Sequence, residues 1–136
     1  MRLASGVCGR WRPTRSSSNQ FHAPDPGVPF EKSVEAFAEL QREGKVKHVG
    51  LSNLSVKQMD AASKIIDVAS VQDRLNPYFR ESLENGVVYE CEKRGITFLA
   101  YSPVGGGRLA KKLPQFPVLQ EIARAHDASP HTVVLA

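Results

Sequence analysis

From residue 30 onward the chain alternates between two hydrophobic periods. Phe30, Val34, Phe37, Ala38 and Leu40 recur at helical spacing, and Gly44 stands where a helix commonly ends in left-handed backbone. Val46–Ser52 then reads as a short strand. Ser55, with Gln58 three residues on, has the pattern of a capping box and opens a helix whose apolar stripe is Met59, Ala62 and Ile66. Residues 68–72 predict a second strand, closed by the turn-forming pair Asn76-Pro77. Asn85 is placed to cap a third helix with Val87, Val88 and Cys91 on its buried face, ending at Arg94-Gly95. Residues 96–101 are nearly all apolar and predict a strand covered on both faces. Pro117 opens a helix through Val118, Leu119, Ile122 and Ala123, and Ser129-Pro130 opens another. A further strand is expected around residues 20–23.

Helix and strand in alternation predict an α/β fold with a parallel sheet and crossover helices. Three or four strands are few for such a sheet, because parallel strands bury both faces and leave unpaired edges unless the sheet is wide or closed. Composition adds that this is one globular domain: 41% of the 136 residues are hydrophobic and 24% charged. No apolar run approaches the roughly 18 residues of a membrane span, so no membrane partner is expected. Cys8 and Cys91 lie far apart without metal-ligand spacing, which points to no metal and to a reduced, cytoplasmic setting. The net charge of +4 comes entirely from Arg2, Arg10, Arg12 and Arg15; the remainder of the chain carries 14 basic and 14 acidic side chains. With no nucleic-acid-reading motif in that neutral body, a nucleic-acid partner is not expected. Residues 1–20 are rich in Arg and Ser and lack acids, the outline of an organellar transit peptide, but Gly6, Gly9 and Pro13 break any amphipathic helix. They are expected to be a disordered or unrelated segment ahead of a domain spanning 21–136.

Chemistry in α/β folds collects at the C-terminal ends of the strands. The residues falling there are His22, then Ser52 and Asn53, then Gln72, Arg74 and Asn76, then Tyr101, Ser102 and the run Gly105, Gly106, Gly107, Arg108. Each has a plain alternative. His22 is either a loop histidine satisfied by backbone groups or a catalytic group. Ser52 and Asn53 are either a turn leading to the next helix or ligand contacts. Gln72 interrupts an apolar strand, and a buried amide there has to find hydrogen-bond partners. Tyr101 is either core packing or a stacking ring, and the three glycines are either a flexible loop or an approach for phosphate. As an ordered series, these polar groups at one rim suit a flat ring with polar edges better than a metal.

That series, read with the blocks FHAPDP at 21–26, GKVKHVGLSN at 44–53, VQDRLNP at 71–77, RGITFLAYSPVGGG at 94–107 and EIARAHDASP at 121–130, resembles the aldo-keto reductase family. The resemblance implies a (β/α)8 TIM barrel present in part, about its strands four to seven with their helices. It implies NADP(H) as cofactor and a small-molecule aldehyde or ketone as substrate, reduced to an alcohol by hydride transfer. By position, His22 is implied as the histidine that orients the substrate carbonyl. Ser52, Asn53 and Gln72 are implied to hold the nicotinamide carboxamide, and Tyr101 to stack on the nicotinamide ring. Ser102 and Gly105, Gly106 and Gly107 are implied to line the pyrophosphate path.

The departures from the family's pattern carry their own expectation. The family's Asp, proton-donating Tyr and Lys come from the first barrel strands; residues 1–20 do not resemble that part, and Tyr78, Tyr89 and Tyr101 all fall elsewhere. The stretch that supplies the eighth strand and most contacts to the adenosine 2′-phosphate has no counterpart here either. Little or no reductase activity is expected of this chain by itself. The competing expectation is a non-catalytic nicotinamide-binding or protein-interaction remnant of the same family.

Overall fold

A computed structural model describes residues 16–136; the expectations for the arginine-rich run and Cys8 lie outside the described residues. Four strands, β1 (Ser16–Phe21), β2 (Val46–Ser52), β3 (Val68–Arg74) and β4 (Thr97–Tyr101), form one parallel sheet in the order β1-β2-β3-β4. Helices connect them: α1 (Phe30–Arg42), α2 (Val56–Ser63), α3 (Glu81–Glu84) and α4 (Val87–Arg94). After β4 come α5 (Gly107–Ala110), a 3₁₀ turn at Leu113–Gln115, α6 (Pro117–Ala125) and α7 (Pro130–Leu135).

Local chemistry explains the boundaries. Ser55 caps α2 as a full capping box: its Oγ accepts from the Gln58 N–H at 3.3 Å, and Gln58 Oε1 accepts the Ser55 N–H at 2.9 Å. Gly44 and Gly95 both take left-handed backbone, φ 68° and 67°, where α1 and α4 end. Asn85 does not cap α4 from the expected position. Gly86 is its N-cap, and Asn85 Oδ1 instead accepts the Val87 N–H at 3.1 Å. Ile66 is buried beyond the end of α2 rather than on its stripe.

The sheet has two unlike faces. Leu51, Val71 and Phe98 lie in register across β2, β3 and β4, and with Val49 and Val68 they meet Val34, Met59, Ala62, Val87 and Cys91 in the core. Phe21 closes one side of that core against Phe30 and Phe37, with ring centroids 6.0 and 5.7 Å away. The other face places Gln20, Gly50, Ser70 and Thr97 in one row, and Ser52, Gln72 and Leu99 in the next. Side chains alternate between faces, so polar residues at every second position line the face opposite the core.

Gly50 marks how closely these rows approach: a Cβ there would overlap Gln20 Oε1 and Ser70 Oγ and stand 2.7 Å from Gln20 Cδ. Gln20 itself donates to the Leu51 carbonyl and accepts from Ser70 Oγ, stitching β1 to β3 across the glycine.

Two expectations are corrected. The first strand begins at Ser16 and ends at Phe21, which leaves His22 in the loop. Backbone pairing with β2 overrides the weak strand preference of its Ser and Asn residues. β4 is not covered on both faces; Thr97, Leu99 and Ala100 are exposed, Leu99 by 41%. It lies at the end of the strand order, and only Phe98 and the preceding Ile96 pack against the core.

Candidate functional site

The C-terminal ends of all four strands meet at one residue, Asn53. Asn53 follows β2 with a left-handed φ of 57°, a conformation Asn tolerates better than most residues. This backbone turns its amide across the rim. Asn53 Nδ2 donates to the His22 carbonyl after β1 at 2.9 Å and to Ser52 Oγ at 3.0 Å, and Asn53 Oδ1 accepts the Tyr101 hydroxyl from β4 at 3.0 Å. The Asn53 N–H donates to Asp73 Oδ1 at 2.5 Å and to the Gln72 carbonyl at 3.3 Å, both on β3.

Ser52 is buried and donates through Oγ to the Gln72 carbonyl at 2.5 Å. Its second lone pair remains after it accepts from Asn53. Gln72 is half-buried rather than enclosed, and among the described residues its side-chain amide has no hydrogen-bond partner. The expected need for internal partners is therefore met differently: the amide faces the open side of the sheet, next to Ser52 and Leu99. The imidazole of His22 is exposed; only its carbonyl is held at the rim.

The glycine loop is tied to the same rim by Asn76, whose Nδ2 donates to the Ser102 carbonyl at 3.0 Å. Ser102 is left-handed, φ 51°, and its carbonyl also accepts the Gly105 N–H at 2.8 Å. Gly105, Gly106 and Gly107 all have positive φ, at 82°, 67° and 37°. Gly105 packs against Tyr78 and Leu109, so a side chain there would clash as well as strain the backbone. Tyr78 donates its hydroxyl to the Leu109 carbonyl at 2.7 Å and packs edge-on to Phe116, and Tyr89 is 64% exposed on α4. Neither tyrosine reaches the Asn53 cluster.

Sequence reasoning passed over Asp73, which is 5% exposed. Its carboxylate accepts the Asn53 N–H through Oδ1 and the Ser82 hydroxyl, at 3.3 Å, through Oδ2, and the Leu54 N–H favours its charged form. Burial pushes its pKa above the usual carboxylate value; the three donors and the nearby Glu81 only modify that. An acid two positions after Val71 on an apolar strand was the available signal, since a carboxylate on the core side requires donors. A cleft of about 320 Å³ lies on this side of the rim, between Asn53, Asp73, Arg74, Phe79, Ser82 and Tyr101. Ser52, Gln72 and His22 are not part of it; they belong to the open sheet face. Arg74 stacks its guanidinium on Phe79, 3.7 Å from the ring centroid. Among the described residues no group of three or more His, Cys, Asp or Glu could hold a metal ion, and no helix is long and apolar enough to cross a membrane.

The rim therefore presents an amide with free donors and acceptor at Gln72, one remaining lone pair on Asn53 Oδ1, and an aromatic ring at Tyr101. The profile of the Aldo/keto reductase family matches residues 18–136. Aldo-keto reductase str7 of Strobilurus tenacellus is 31% identical over 85% of this chain and 43% of its own length. Pyridoxine 4-dehydrogenase of Escherichia coli is 32% identical over 85% of this chain and 38% of its own. The crystal structure of an aldo-keto reductase from Klebsiella pneumoniae in complex with NADPH superposes with a TM-score of 0.69 at 26% identity, covering 85% of this chain and 42% of that one. The chain thus spans about two fifths of the length of the relatives it matches. It belongs to the aldo/keto reductase family, and its four-stranded sheet with helices on one face is part of that family's (β/α)8 barrel.

Proposed function

We propose that the rim around Asn53 recognises the nicotinamide of NADP(H), and that the chain contributes this half of the site to an oxidoreductase that reduces an aldehyde or ketone. The observation that carries the reading is the hydrogen-bond inventory. A carboxamide has one acceptor and two donors. Gln72 has an unpaired amide to meet the acceptor, and Asn53 Oδ1 and Ser52 Oγ each keep a lone pair for the donors. The carboxamide lies at one edge of the ring, so holding that edge while the ribose is held elsewhere fixes which face of the ring points to the substrate. The bound cofactor supplies the hydride; the protein supplies orientation, worth several kcal/mol in reactions of this kind.

The remaining residues take roles consistent with their places. Tyr101, anchored through its hydroxyl, offers its ring for stacking. His22, exposed beside Asn53, orients a carbonyl oxygen through its imidazole. The Ser102 carbonyl and the positive-φ backbone at Gly105, Gly106 and Gly107 keep that loop open for a pyrophosphate. The choice of NADP(H) as the cofactor is supported by the NADPH complex of the Klebsiella relative, of which this chain covers 42%.

None of the three tyrosines is placed at the rim as a free proton donor: Tyr78 is bound to the Leu109 carbonyl, Tyr101 to Asn53, and Tyr89 lies away from the rim on the surface of α4. Without a positioned general acid a carbonyl reduction loses about 10²- to 10⁴-fold in rate. The 136-residue chain is expected to quench NADPH fluorescence on binding yet to show no steady NADPH oxidation with 4-nitrobenzaldehyde. Ordinary turnover would overturn the assignment of roles, and no binding at millimolar NADPH would overturn the cofactor site.

One observation favours a second reading, association through strand edges. β4 ends the sheet with Thr97, Leu99 and Ala100 exposed and carries no Lys or Pro to protect its edge. A defined oligomer on size-exclusion chromatography that persists in Leu99→Lys speaks against this second reading; dissociation of that oligomer by the substitution supports it.

A further inference from the structure

We propose that Asp73 is the positioning residue of the Asn53 turn: its carboxylate clasps the backbone after β2 to α3, and this holds the Asn53 amide across the rim. The proposal rests on the nicotinamide reading for its ligand and on geometry for everything else. Asp73 Oδ1 takes the Asn53 N–H, Oδ2 takes the Ser82 hydroxyl, and the Leu54 N–H is a third donor. Three segments are thereby joined: the turn at 53–54, the end of β3, and the four-residue helix α3, which Ser82 also ties to the Arg74 carbonyl.

The clasp acts on one of the three non-glycine residues with positive φ among the described residues. Asn53 occupies left-handed space, and its side chain can reach His22, Ser52 and Tyr101 only from there. Relaxation of that φ would swing the amide away from all three. Without the carboxylate the Asn53 N–H keeps only the longer bond to the Gln72 carbonyl.

The choice of a carboxylate is itself informative. Asp73 forms no ion pair among the described residues. The charged and titratable groups around it are Glu81 on α3, of like sign, the Cys91 thiol on α4, Arg74 next in β3 but stacked on Phe79, and the Tyr101 phenol on β4. A buried acid held only by neutral donors is a costly way to pack a strand. It is an effective way to fix two adjacent N–H groups, which a single carboxylate can accept together.

Asn at this position keeps one oxygen for the Asn53 N–H, and its amide can donate to Ser82 Oγ, whose hydroxyl turns to the Arg74 carbonyl already 3.5 Å away. Leu keeps the volume and no acceptor. In ¹H–¹⁵N spectra of the 136-residue chain, Asp73→Leu should therefore move the backbone resonances of Asn53 and Leu54 and the side-chain NH2 of Asn53, and Asp73→Asn should return them close to wild type. NADPH affinity, read by fluorescence quenching, should fall about tenfold in Asp73→Leu, as is typical when a supporting group behind a ligand contact is lost, and stay within about threefold in Asp73→Asn. Val87→Ala, a core change on α4, controls for loss of stability and should leave the NADPH affinity alone. In wild type the Asn53 and Leu54 amides should shift together as the carboxyl titrates, and in Asp73→Asn that common shift should vanish.

The proposal is overturned if Asp73→Leu leaves those resonances in place, or if it leaves the wild-type affinity unchanged. It is also overturned if Val87→Ala weakens NADPH as much as Asp73→Leu does. Failure of the wild-type chain to bind NADPH refutes the cofactor reading instead; the resonances then decide the clasp without it.

Discussion

Removing the Asn53 side chain should loosen the ends of β1, β2 and β4 at once, and the size of the effect follows from its contacts. Asn53→Ala deletes the bonds to the His22 carbonyl, Ser52 Oγ and the Tyr101 hydroxyl, at 2.9, 3.0 and 3.0 Å. Each such bond contributes roughly 0.5–1.5 kcal/mol, and partial solvent exposure of this rim puts them at the lower end, so about 1.5–2 kcal/mol is lost. Ala at a φ of 57° adds the left-handed penalty, about 1 kcal/mol, whereas Gly does not. The two substitutions separate the contributions: Asn53→Gly should cost about 1.5–2 kcal/mol and Asn53→Ala about 2.5–3. With a urea dependence of about 1–3 kcal/mol/M, the alanine variant should shift the unfolding midpoint by about 1 M with an unchanged slope. Hydrogen exchange should accelerate at the C-terminal ends of β1 and β4, which the side chain joins, more than at the centre of β2. A midpoint for Asn53→Ala equal to wild type, or equal effects of Ala and Gly, would refute the view of Asn53 as the strained hub of the rim.

Other outcomes follow from the same geometry. Asp73 has its pKa raised by folding, so the folded chain binds the proton more tightly than the unfolded one, and its contribution to stability falls as pH rises from the ordinary value of 3.8 through the folded value, then levels off. Comparing urea midpoints of wild type and Asp73→Asn across that window isolates the effect: the difference between them should grow with pH in favour of Asn, and a flat difference contradicts it. Gly50→Ala forces Gln20 or Ser70 aside and should lower stability by about 1–3 kcal/mol in thermal melts, with partial recovery in Gly50→Ala/Gln20→Ala; an unchanged melt would mean the row yields freely. Leu51→Ala, at a fully buried position in the core, should cost about 2–5 kcal/mol by urea titration, and a loss under 1 would show that the core is loosely packed.

How much of this was legible in the sequence depends on how local the cause was. The capping box at Ser55 and Gln58, the strand Val46–Ser52, the left-handed end at Gly44 and the helix end at Arg94-Gly95 are set by neighbouring residues, and each is found as read. α3, only Glu81–Glu84, is too short to show a period and went unread. β1 opens with Ser-Ser-Ser-Asn-Gln, so its place is fixed by pairing with β2 rather than by its own pattern. An apolar run such as 96–101 says that a strand is present but cannot say whether two faces are covered or one. At the site, the residue types at the strand ends were visible, and Asn53 was named among them. Its role as the hub was not, because that depends on a left-handed turn and on partners 31 and 48 positions away. Asp73 was missed for a related reason: its donors lie on a turn and a short helix that only the fold brings to it.

The central claim is that this rim holds a nicotinamide. Titrating the ¹⁵N-labelled chain with NADP+ and, separately, with nicotinamide mononucleotide reads it directly. Both ligands should move the side-chain amides of Asn53 and Gln72 and the backbone of Ser52 and Tyr101, and the dinucleotide alone should also move the loop at Gly105, Gly106 and Gly107. Shifts confined to surface lysines and arginines, or none at these positions at millimolar ligand, would contradict it.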